Sequence, residues 1–218
     1  MLSTPGYKHE LFDGPQENGL HIAATRAATF PRRFEPTIYP LRLGDPQKVK
    51  KPSTVFVCSM GDLLGDWVPR PWIELVINAT TKAPQHKYFF LTKNPARYAE
   101  FEWPENCWLG TTVTGPQNVR RSRRLVNDND GKNKTWLSVE PLLGSVEGIF
   151  RHEWIIVGSQ TGSKNKTIPE FGWLNWLAQS HAYAENRVGG KMFPLYMKPS
   201  LADVWPSDLI QEFPEGIE

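Results

Sequence analysis

Short apolar runs recur along the chain, and each is followed by a small polar or charged cluster beside glycine or proline. The runs span residues 54–58, 87–91, 107–109, 135–137, 154–157 and 193–197. Runs this short, β-branched and aromatic, with little polar alternation, are typical of parallel strands buried on both faces. The carboxyl ends of such strands carry the ligand-facing loops, so we expect the functional site at the rim that the polar clusters form.

Segments in which apolar residues have helical spacing lie between several of these runs. It predicts helices over 69–79, 95–101, 116–126 and 169–184, and a short one around 21–28. The link from Glu140 to Trp154 is too rich in proline and glycine for a full helix. Strands and helices in alternation predict an α/β fold, either a doubly wound sheet or a barrel. The polar rim favours a partial (β/α) barrel of about six parallel strands.

Composition adds limits to this picture. A chain of 218 residues with 39% hydrophobic residues favours one main folded domain. We expect an irregular segment over 1–33, the barrel domain over 34–200, and a tail over 201–218 that packs on it. No run approaches the roughly 18 apolar residues of a membrane span, and the first residues lack the apolar stretch of a signal peptide. We therefore expect a cytoplasmic protein with no membrane partner.

The two cysteines are expected to be reduced. Cys58 ends one predicted strand and Cys107 begins another, so at about 3.3 Å per residue they lie roughly 15 Å apart along the strand direction. A disulfide requires Cα atoms within about 7 Å. The five histidines are scattered without ligand spacing, so the sequence predicts no metal site.

Three charged residues of the rim are candidates for chemistry. Glu140 lies between apolar stretches, where a carboxylate costs several kcal/mol unless it is paired or used. Lys93 and Lys198 each follow a predicted strand and are its possible partners across the rim. A structural pair, a ligand-holding pair and an acid–base pair all remain open, and a solvated lysine is the alternative for each ammonium group.

Two further parts of the rim are candidates for ligand binding. Asp62 either accepts hydrogen bonds from a ligand or caps a helix that follows it. Gly158, Ser159 and Gln160 begin a loop whose backbone N–H groups suit a phosphate, although it lacks the spacing of a P-loop.

A basic face is the remaining candidate feature. It consists of Arg120, Arg121, Arg123 and Arg124 on one predicted helix. It either contacts the phosphates of a nucleic acid or nucleotide or is a solvated helix face. The net charge of +2 permits a nucleic-acid partner without requiring one.

An ordered set of motifs carries a family resemblance over about residues 34–200. The motifs are Phe-Glu-Pro-Thr at 34–37, Val-Phe-Val-Cys-Ser-Met-Gly-Asp-Leu-Leu at 55–64, Ala-Pro-Gln-His at 83–86, Phe-Leu-Thr-Lys-Asn-Pro at 90–95, Trp-Leu-Gly-Thr-Thr-Val at 108–113, Ser-Val-Glu-Pro-Leu-Leu-Gly at 138–144, Trp-Ile-Ile-Val-Gly-Ser-Gln-Thr-Gly at 154–162 and Tyr-Met-Lys at 196–198. With these motifs the chain resembles a phage- and prophage-associated family of radical-SAM-like proteins whose function is largely unsettled.

The resemblance implies a partial βα barrel whose open end holds S-adenosylmethionine. The residues expected to bind it are Ser59, Asp62, Thr92, Thr112, Ser138, Gly158, Ser159 and Gln160. Among the rim residues, Ser59, Asp62 and Glu140 are expected to hold the methionine and ribose parts. The expected catalytic residues are Glu140, Lys93 and Lys198.

One part of the family pattern is missing. The family typically carries three cysteines near its N-terminus that hold a [4Fe–4S] cluster, whereas this chain has no cysteine before Cys58. We expect either that the chain starts downstream of the true beginning or that this member has lost the cluster.

Three hypotheses follow from the resemblance and the missing cysteines. The first is a truncated or cluster-less radical-SAM-like protein that binds S-adenosylmethionine or a nucleotide-like ligand. The second is a non-catalytic protein that binds a protein partner or, through its basic helix, nucleic acid. The third is a cluster-independent barrel enzyme that uses Glu140 with Lys93 or Lys198 as acid and base.

Overall fold

The computed structural model describes residues 14–15, 21–22, 36–149, 151–162, 166–185 and 193–217. The chain divides into two compact units. The first contains residues 1–53 and 67–86, and the second contains residues 54–66 and 87–218.

The described residues of the first unit form a small sheet, two 3-10 helices (Pro40–Arg42 and Pro46–Lys48) and one α-helix. The strands are β1 (Gly14–Pro15), β2 (His21–Ile22) and β3 (Thr37–Ile38), with β2 antiparallel to β1 and parallel to β3. Helix α1 (Arg70–Thr81) has a proline in its first turn and buries Ile73 and Ile77. The helix predicted around 21–28 is wrong at its first two residues, which pair as β2, and its remaining residues lie outside the described part of the chain.

The second unit is built on a six-stranded, all-parallel sheet whose spatial order is its chain order. The strands are β4 (Thr54–Phe56), β5 (Lys87–Thr92), β6 (Cys107–Thr112), β7 (Thr135–Val139), β8 (Trp154–Val157) and β9 (Leu195–Met197). The sheet curls into a half-barrel, which confirms the predicted partial barrel. Each strand lies beside the one before it, as successive βα units require.

The sheet has an aromatic inner face and an aliphatic outer face, because side chains alternate along each strand. Phe89 pairs in register with Trp108, and Trp136 pairs with Trp154. These four side chains form the core of the inner face, which we call the aromatic floor. The outer face packs Leu137, Ile155 and Leu195 with Leu174 and Leu177 of helix α3 (Phe171–Glu185).

The predicted connections are confirmed with shifted bounds. Residues Pro95–Glu100 form a 3-10 helix. Another 3-10 helix, Pro116–Asn118, precedes helix α2 (Arg120–Asn129). The buried residues of α2 are Ser122, Leu125 and Asn129. Among its described residues, the link from β7 to β8 contains neither helix nor strand, as its glycines and proline predict.

Strand β4 departs from the prediction of a strand buried on both faces. It pairs with β5 alone and is therefore an edge strand, and its Phe56 side chain is 45% exposed. It is also shorter than the predicted run, because Cys58 adopts a left-handed conformation with φ of 54° and leaves the extended path.

The C-terminal segment closes the amino end of the half-barrel. The Phe213 ring lies 5.7 Å from that of Trp154 and 5.1 Å from that of Tyr196, measured between centroids. Ile217 joins the aromatic floor, and the Lys87 ammonium group donates a hydrogen bond to the Gly216 carbonyl. In the described part of the second unit, a cavity lies at the carboxyl ends of the strands, where residues 58–62 and 91–93 line it.

None of the helices in the described part of the chain combines the length and the apolar character that crossing a membrane would require.

Candidate functional site

The charged residues predicted for the rim follow inner-face residues by two positions. Lys93 follows Leu91, and Lys198 follows Tyr196, and both of the preceding side chains pack against the aromatic floor. Side chains continue to alternate past the strand ends, so the two lysines point to the same opening at the carboxyl ends of the strands. We call this opening the mouth. The structure thus places both of them at the carboxyl ends of strands, as the sequence predicted.

Glu140 is paired with Lys198 and not with Lys93. Its Oε2 atom accepts a hydrogen bond from the Lys198 ammonium group. The Glu140 side chain is 29% exposed and the Lys198 side chain 40% exposed, so the pair is open to solvent and to a ligand. Gly158 lies beneath it: a Cβ atom there would be 3.0 Å from Glu140 Oε1 and 3.1 Å from Lys198 Cδ.

A cavity of about 360 Å³ opens at the carboxyl ends of strands β4 to β6. It is lined by Phe56, Cys58, Ser59, Met60, Gly61, Asp62, Leu91, Thr92, Lys93 and Thr112. Apolar side chains of β4 and β5 thus form one part of the lining, and the polar residues that follow those strands form the other. Five of the predicted rim residues therefore share one cavity: Ser59, Asp62, Thr92, Lys93 and Thr112.

Asp62 holds two of the rim loops together. Its Oδ1 atom accepts a hydrogen bond from the Leu64 backbone amide at 3.1 Å, and Oδ2 accepts one from the Lys93 amide at 2.9 Å. The alternative that Asp62 caps a following helix is wrong, since turns follow it until α1 begins at Arg70. The carboxylate fixes the backbone of Lys93 and so positions that residue at the mouth.

The hydroxyl-bearing residues of the rim differ in their orientation. Thr92 is buried, and its Oγ1 atom accepts a hydrogen bond from the Asn94 amide at 2.9 Å, so it shapes the turn after Lys93. Thr112 and Ser138 pair in register and share the inner-face alternation of Trp136. Thr112 lines the cavity, whereas Ser138 lies on the next strand, two residues before Glu140.

The loop after β8 is already engaged in internal hydrogen bonds. The Gly158 amide donates to the Val139 carbonyl at 3.2 Å. The Ser159 amide donates to Ser200 Oγ at 3.1 Å, and its hydroxyl donates to the Ser200 carbonyl. Gln160 Oε1 accepts from the Thr167 amide at 3.0 Å. These groups hold the loop, so the phosphate cradle expected from this segment is not formed by the amides of Gly158 and Ser159.

The aromatic floor is the part of the site that was not predicted from the sequence. The Trp136 indole lies across Gly110 and donates a hydrogen bond from Nε1 to the Phe90 carbonyl at 3.1 Å. A repeated signal was present in the sequence, since Trp108, Trp136 and Trp154 each occupy the first or second position of a short apolar run. The four side chains are themselves buried, and Phe56 and Leu91, which line the cavity, are the apolar side chains beside them that a flat ring could contact.

A family model with the description "Protein of unknown function (DUF5131)" matches residues 16–187, which is most of the chain. The chain belongs to the DUF5131 family. No curated protein and no solved structure matches it.

The cysteines of this DUF5131 chain do not fit a [4Fe–4S] cluster. A cluster of the expected kind needs three thiolates, and the sequence contains two cysteines. Cys58 follows β4 at the mouth, whereas Cys107 is buried at the amino end of β6. Among the described residues, no group of three or more His, Cys, Asp or Glu side chains is arranged to hold a metal ion.

The chemistry of Cys58 also differs from that of a ligating thiol. The residue is exposed, but crowding of its thiol by protein atoms, followed by the negative charge of Asp62, raises the pKa of Cys58 to about 11. Metal-binding and nucleophilic cysteines act as thiolates, which a raised pKa disfavours.

The basic face of this DUF5131 protein forms one side of a second opening. A surface cleft of about 510 Å³ lies between the 3-10 helix at 95–100 and α2. Its lining residues are Lys93, Asn94, Pro95, Ala96, Arg120, Arg121, Arg123, Arg124 and Asn127. We call it the basic cleft. All four predicted arginines line it, and Lys93 lines both this cleft and the cavity at the mouth.

Proposed function

We propose that the mouth of the half-barrel binds S-adenosylmethionine or a closely related nucleoside with a zwitterionic tail. One observation carries the proposal: an ion pair and a second lysine stand at the edge of an aromatic inner face whose other end is closed. A ligand that fits this arrangement has an aromatic base, hydroxyl groups, and both an ammonium and a carboxylate group. S-adenosylmethionine combines all of these groups.

The charged residues of the mouth suit the two ends of such a tail. The Lys93 ammonium group is exposed, and it has no ion-pair partner among the described residues, so it is suited to the ligand carboxylate. Glu140 is suited to the ligand ammonium or sulfonium group, with Lys198 holding the carboxylate in place. Because both members of that pair are partly exposed, a ligand can share it at a modest desolvation cost.

The neutral residues suit the nucleoside part. Thr112 lines the cavity, and Ser138 pairs with it in register on the next strand, so their hydroxyl groups suit ribose hydroxyls. Phe56 and Leu91 line the cavity beside the floor and suit the flat adenine ring. The family resemblance set out above supports the same ligand class.

The proposal concerns binding, because the cysteines present do not hold the cluster that a radical reaction requires. When bound, S-adenosylmethionine supplies electrophilic carbon atoms bonded to its positively charged sulfur. The chain's own contribution is to orient the ligand and to keep its charged tail in a fixed place above the floor.

An acid–base enzyme is the second candidate, favoured by the direct contact between Glu140 and Lys198 in an accessible mouth. In such an enzyme the carboxylate would accept a proton from the substrate and the ammonium group would donate one. This candidate shares the mouth but does not use the aromatic floor for an adenine ring. It therefore predicts no preference for adenosyl ligands.

Isothermal titration calorimetry with S-adenosylmethionine, adenosine and methionine tests the proposal. We expect S-adenosylmethionine to bind more tightly than either fragment. Charge-assisted hydrogen bonds contribute about 1.5–3 kcal/mol, so Glu140→Gln and Lys93→Met should each weaken binding by roughly tenfold or more. Lys132→Met is the control, since Lys132 is exposed and lines neither opening.

The proposal is wrong if the wild-type protein binds none of these ligands, or if Lys132→Met weakens binding as much as Lys93→Met. Equal affinities for adenosyl ligands and for simple amino acids would favour the acid–base candidate.

A further inference from the structure

The basic cleft has the properties of a phosphate-binding surface. Arg120, Arg123 and Arg124 lie at positions i, i+3 and i+4 of α2, and Asn127 follows at i+7, so the four side chains occupy one helix face. All four are exposed, whereas Leu125 on the opposite face is fully buried. One face of helix α2 is thus buried in the core, and the other exposes three arginines and one asparagine.

Within helix α2 itself, arginines outnumber acidic residues. Helix α2 contains four arginines and a single acidic residue, Asp128. That carboxylate accepts a hydrogen bond from Arg124 Nε, which occupies one of the five N–H donors of the guanidinium group. The Arg120 side chain is exposed and lines the cleft. Guanidinium groups bind phosphate in a bidentate manner, which makes arginine more specific for phosphate than lysine.

The cleft is connected to the mouth of the half-barrel. Lys93 lines both openings, and Arg121 ties α2 to the rim by donating a hydrogen bond from Nη1 to the Thr112 carbonyl at 3.2 Å. A polymer lying along α2 is therefore led to the mouth. The cavity there, at about 360 Å³, is too small for a duplex.

We infer that the basic cleft binds the phosphate backbone of a single-stranded nucleic acid and leads it to the mouth of the half-barrel. The part played by the mouth rests on the proposed function, whereas binding in the cleft does not. An anionic membrane is the weaker occupant, because an interfacial helix needs an exposed apolar face and that face of α2 is buried around Leu125.

The test is fluorescence anisotropy of a fluorescein-labelled, mixed-sequence single-stranded DNA, titrated at several salt concentrations without S-adenosylmethionine. The test variant is the triple substitution Arg120→Gln, Arg123→Gln and Arg124→Gln. The matched control removes three exposed positive charges outside the cleft, with Lys132→Gln, Arg151→Gln and Lys166→Gln. Circular dichroism and thermal melting establish that both variants are folded.

We expect the test variant to bind the strand at least tenfold more weakly than the wild type, and the control to stay within about threefold, since counterion release follows local phosphate contacts. Each phosphate contact contributes about 0.7 to the slope of log K against log salt for a single strand, so the slope should fall by about 2 in the test variant alone. An equal loss in both variants would overturn the inference, as it would show a response to net charge.

Two further arms separate nucleic acid from other anions. Binding to vesicles of phosphatidylserine, or competition by polyglutamate as strong as that by unlabelled DNA, would overturn the nucleic-acid assignment. If the triple variant does not fold, Arg120→Gln alone replaces it. We expect this single substitution to weaken strand binding by about threefold or more. An unchanged affinity in Arg120→Gln would then contradict the inference.

Titration with S-adenosylmethionine keeps the two proposals distinguishable. Strand binding by a protein that binds no adenosyl ligand would refute the proposed function and leave the cleft in place. Binding of S-adenosylmethionine without binding of the strand would refute the inference about the cleft and leave the proposed function in place. Lys93→Met should weaken both, because Lys93 lines both openings.

Discussion

Glu140 and Lys198 form an ion pair although 58 residues separate them in the chain. They follow strands β7 and β9, which lie on either side of β8 in the sheet. Gly158 follows β8 between them, and its missing side chain leaves the space in which the carboxylate and the lysine stem meet. The geometry of this ion pair is thus set by the parallel order of three strands and by one glycine.

We predict that Gly158→Ala weakens ligand binding and leaves the fold intact. The added Cβ would lie 3.0 Å from Glu140 Oε1 and 3.1 Å from Lys198 Cδ, which are parts of flexible side chains that can move away. We expect a roughly tenfold larger Kd for S-adenosylmethionine, equivalent to about 1.4 kcal/mol. Calorimetry and thermal melting measure the two effects.

The control for this substitution is Gly172→Ala, since a Cβ there meets no atom within 4 Å. Unchanged affinity in Gly158→Ala would show that the ion pair takes no part in binding. A large loss of stability would show instead that the pair is structural.

Gly110 is predicted to be essential for the sheet. A Cβ atom at this position would lie 2.4 Å from the Trp136 indole and 2.7 Å from the Phe90 carbonyl oxygen. The Gly110 carbonyl accepts a hydrogen bond from the Tyr98 hydroxyl at 2.9 Å, which limits backbone movement away from the indole. Overpacking of this kind costs about 1–3 kcal/mol or more.

Urea unfolding followed by tryptophan fluorescence measures the effect of Gly110→Ala on the free energy of unfolding. Gly172→Ala is again the control, and it should be neutral or stabilising by up to about 1 kcal/mol, as expected for glycine replaced by alanine near a helix start. A variant Gly110→Ala as stable as the wild type would show that the indole does not lie across this glycine.

Acid sensitivity is predicted from the buried His152. Its ring lies between Ser122 Oγ and Thr135 Oγ1, each at 2.9 Å, and desolvation lowers its pKa from 6.5 to about 3. In the unfolded chain the imidazole binds a proton near pH 6.5, but in the folded protein it stays neutral down to about pH 3. The folded state therefore loses stability as pH falls from about 6.5 towards 3, by about 1.4 kcal/mol per pH unit in the middle of that range.

Comparison with His152→Gln isolates this contribution from that of the carboxylates. Urea unfolding between pH 7 and pH 5 should show a steeper loss of stability in the wild type than in the variant. Parallel pH profiles for the two proteins would contradict the assignment.

Cys58 is predicted to react slowly at neutral pH despite its exposure. Crowding of the thiol and the charge of Asp62 raise its pKa to about 11, so little thiolate is present at pH 7. The rate of alkylation by iodoacetamide should rise with pH up to about 11, and Asp62→Asn should shift the profile to lower pH. Fast alkylation at pH 7 in the folded wild type would contradict this prediction.

The fold was predictable because its signals are local. Short apolar runs with little alternation identified the six strands, and glycine and proline marked the irregular link before β8. The exposure of β4 was not predictable from its own residues, since an apolar run reads the same at the edge of a sheet as at its centre. Its shorter length comes from the left-handed turn at Cys58, which carries no glycine signal.

The site was predictable as a set of residues but not as a set of contacts. Strand ends identified Glu140, Lys93 and Lys198, but which lysine pairs with Glu140 depends on the positions of whole strands in the curled sheet. The internal hydrogen bonds of Ser159 and Gln160 depend on Ser200 and Thr167, whose positions no local pattern reveals.

The most direct test of the central claim is a ¹⁵N–¹H spectrum of the tryptophan indole groups, recorded with and without S-adenosylmethionine. The Trp136 indole belongs to the aromatic floor and contacts Phe56, which lines the cavity, whereas the Trp205 indole donates to the Asp208 carbonyl and packs against Phe171. Ligand binding at the mouth predicts a saturable shift of the Trp136 signal and an unchanged Trp205 signal. No shift at Trp136, or a shift at Trp205 alone, would contradict ligand binding at the mouth of the half-barrel.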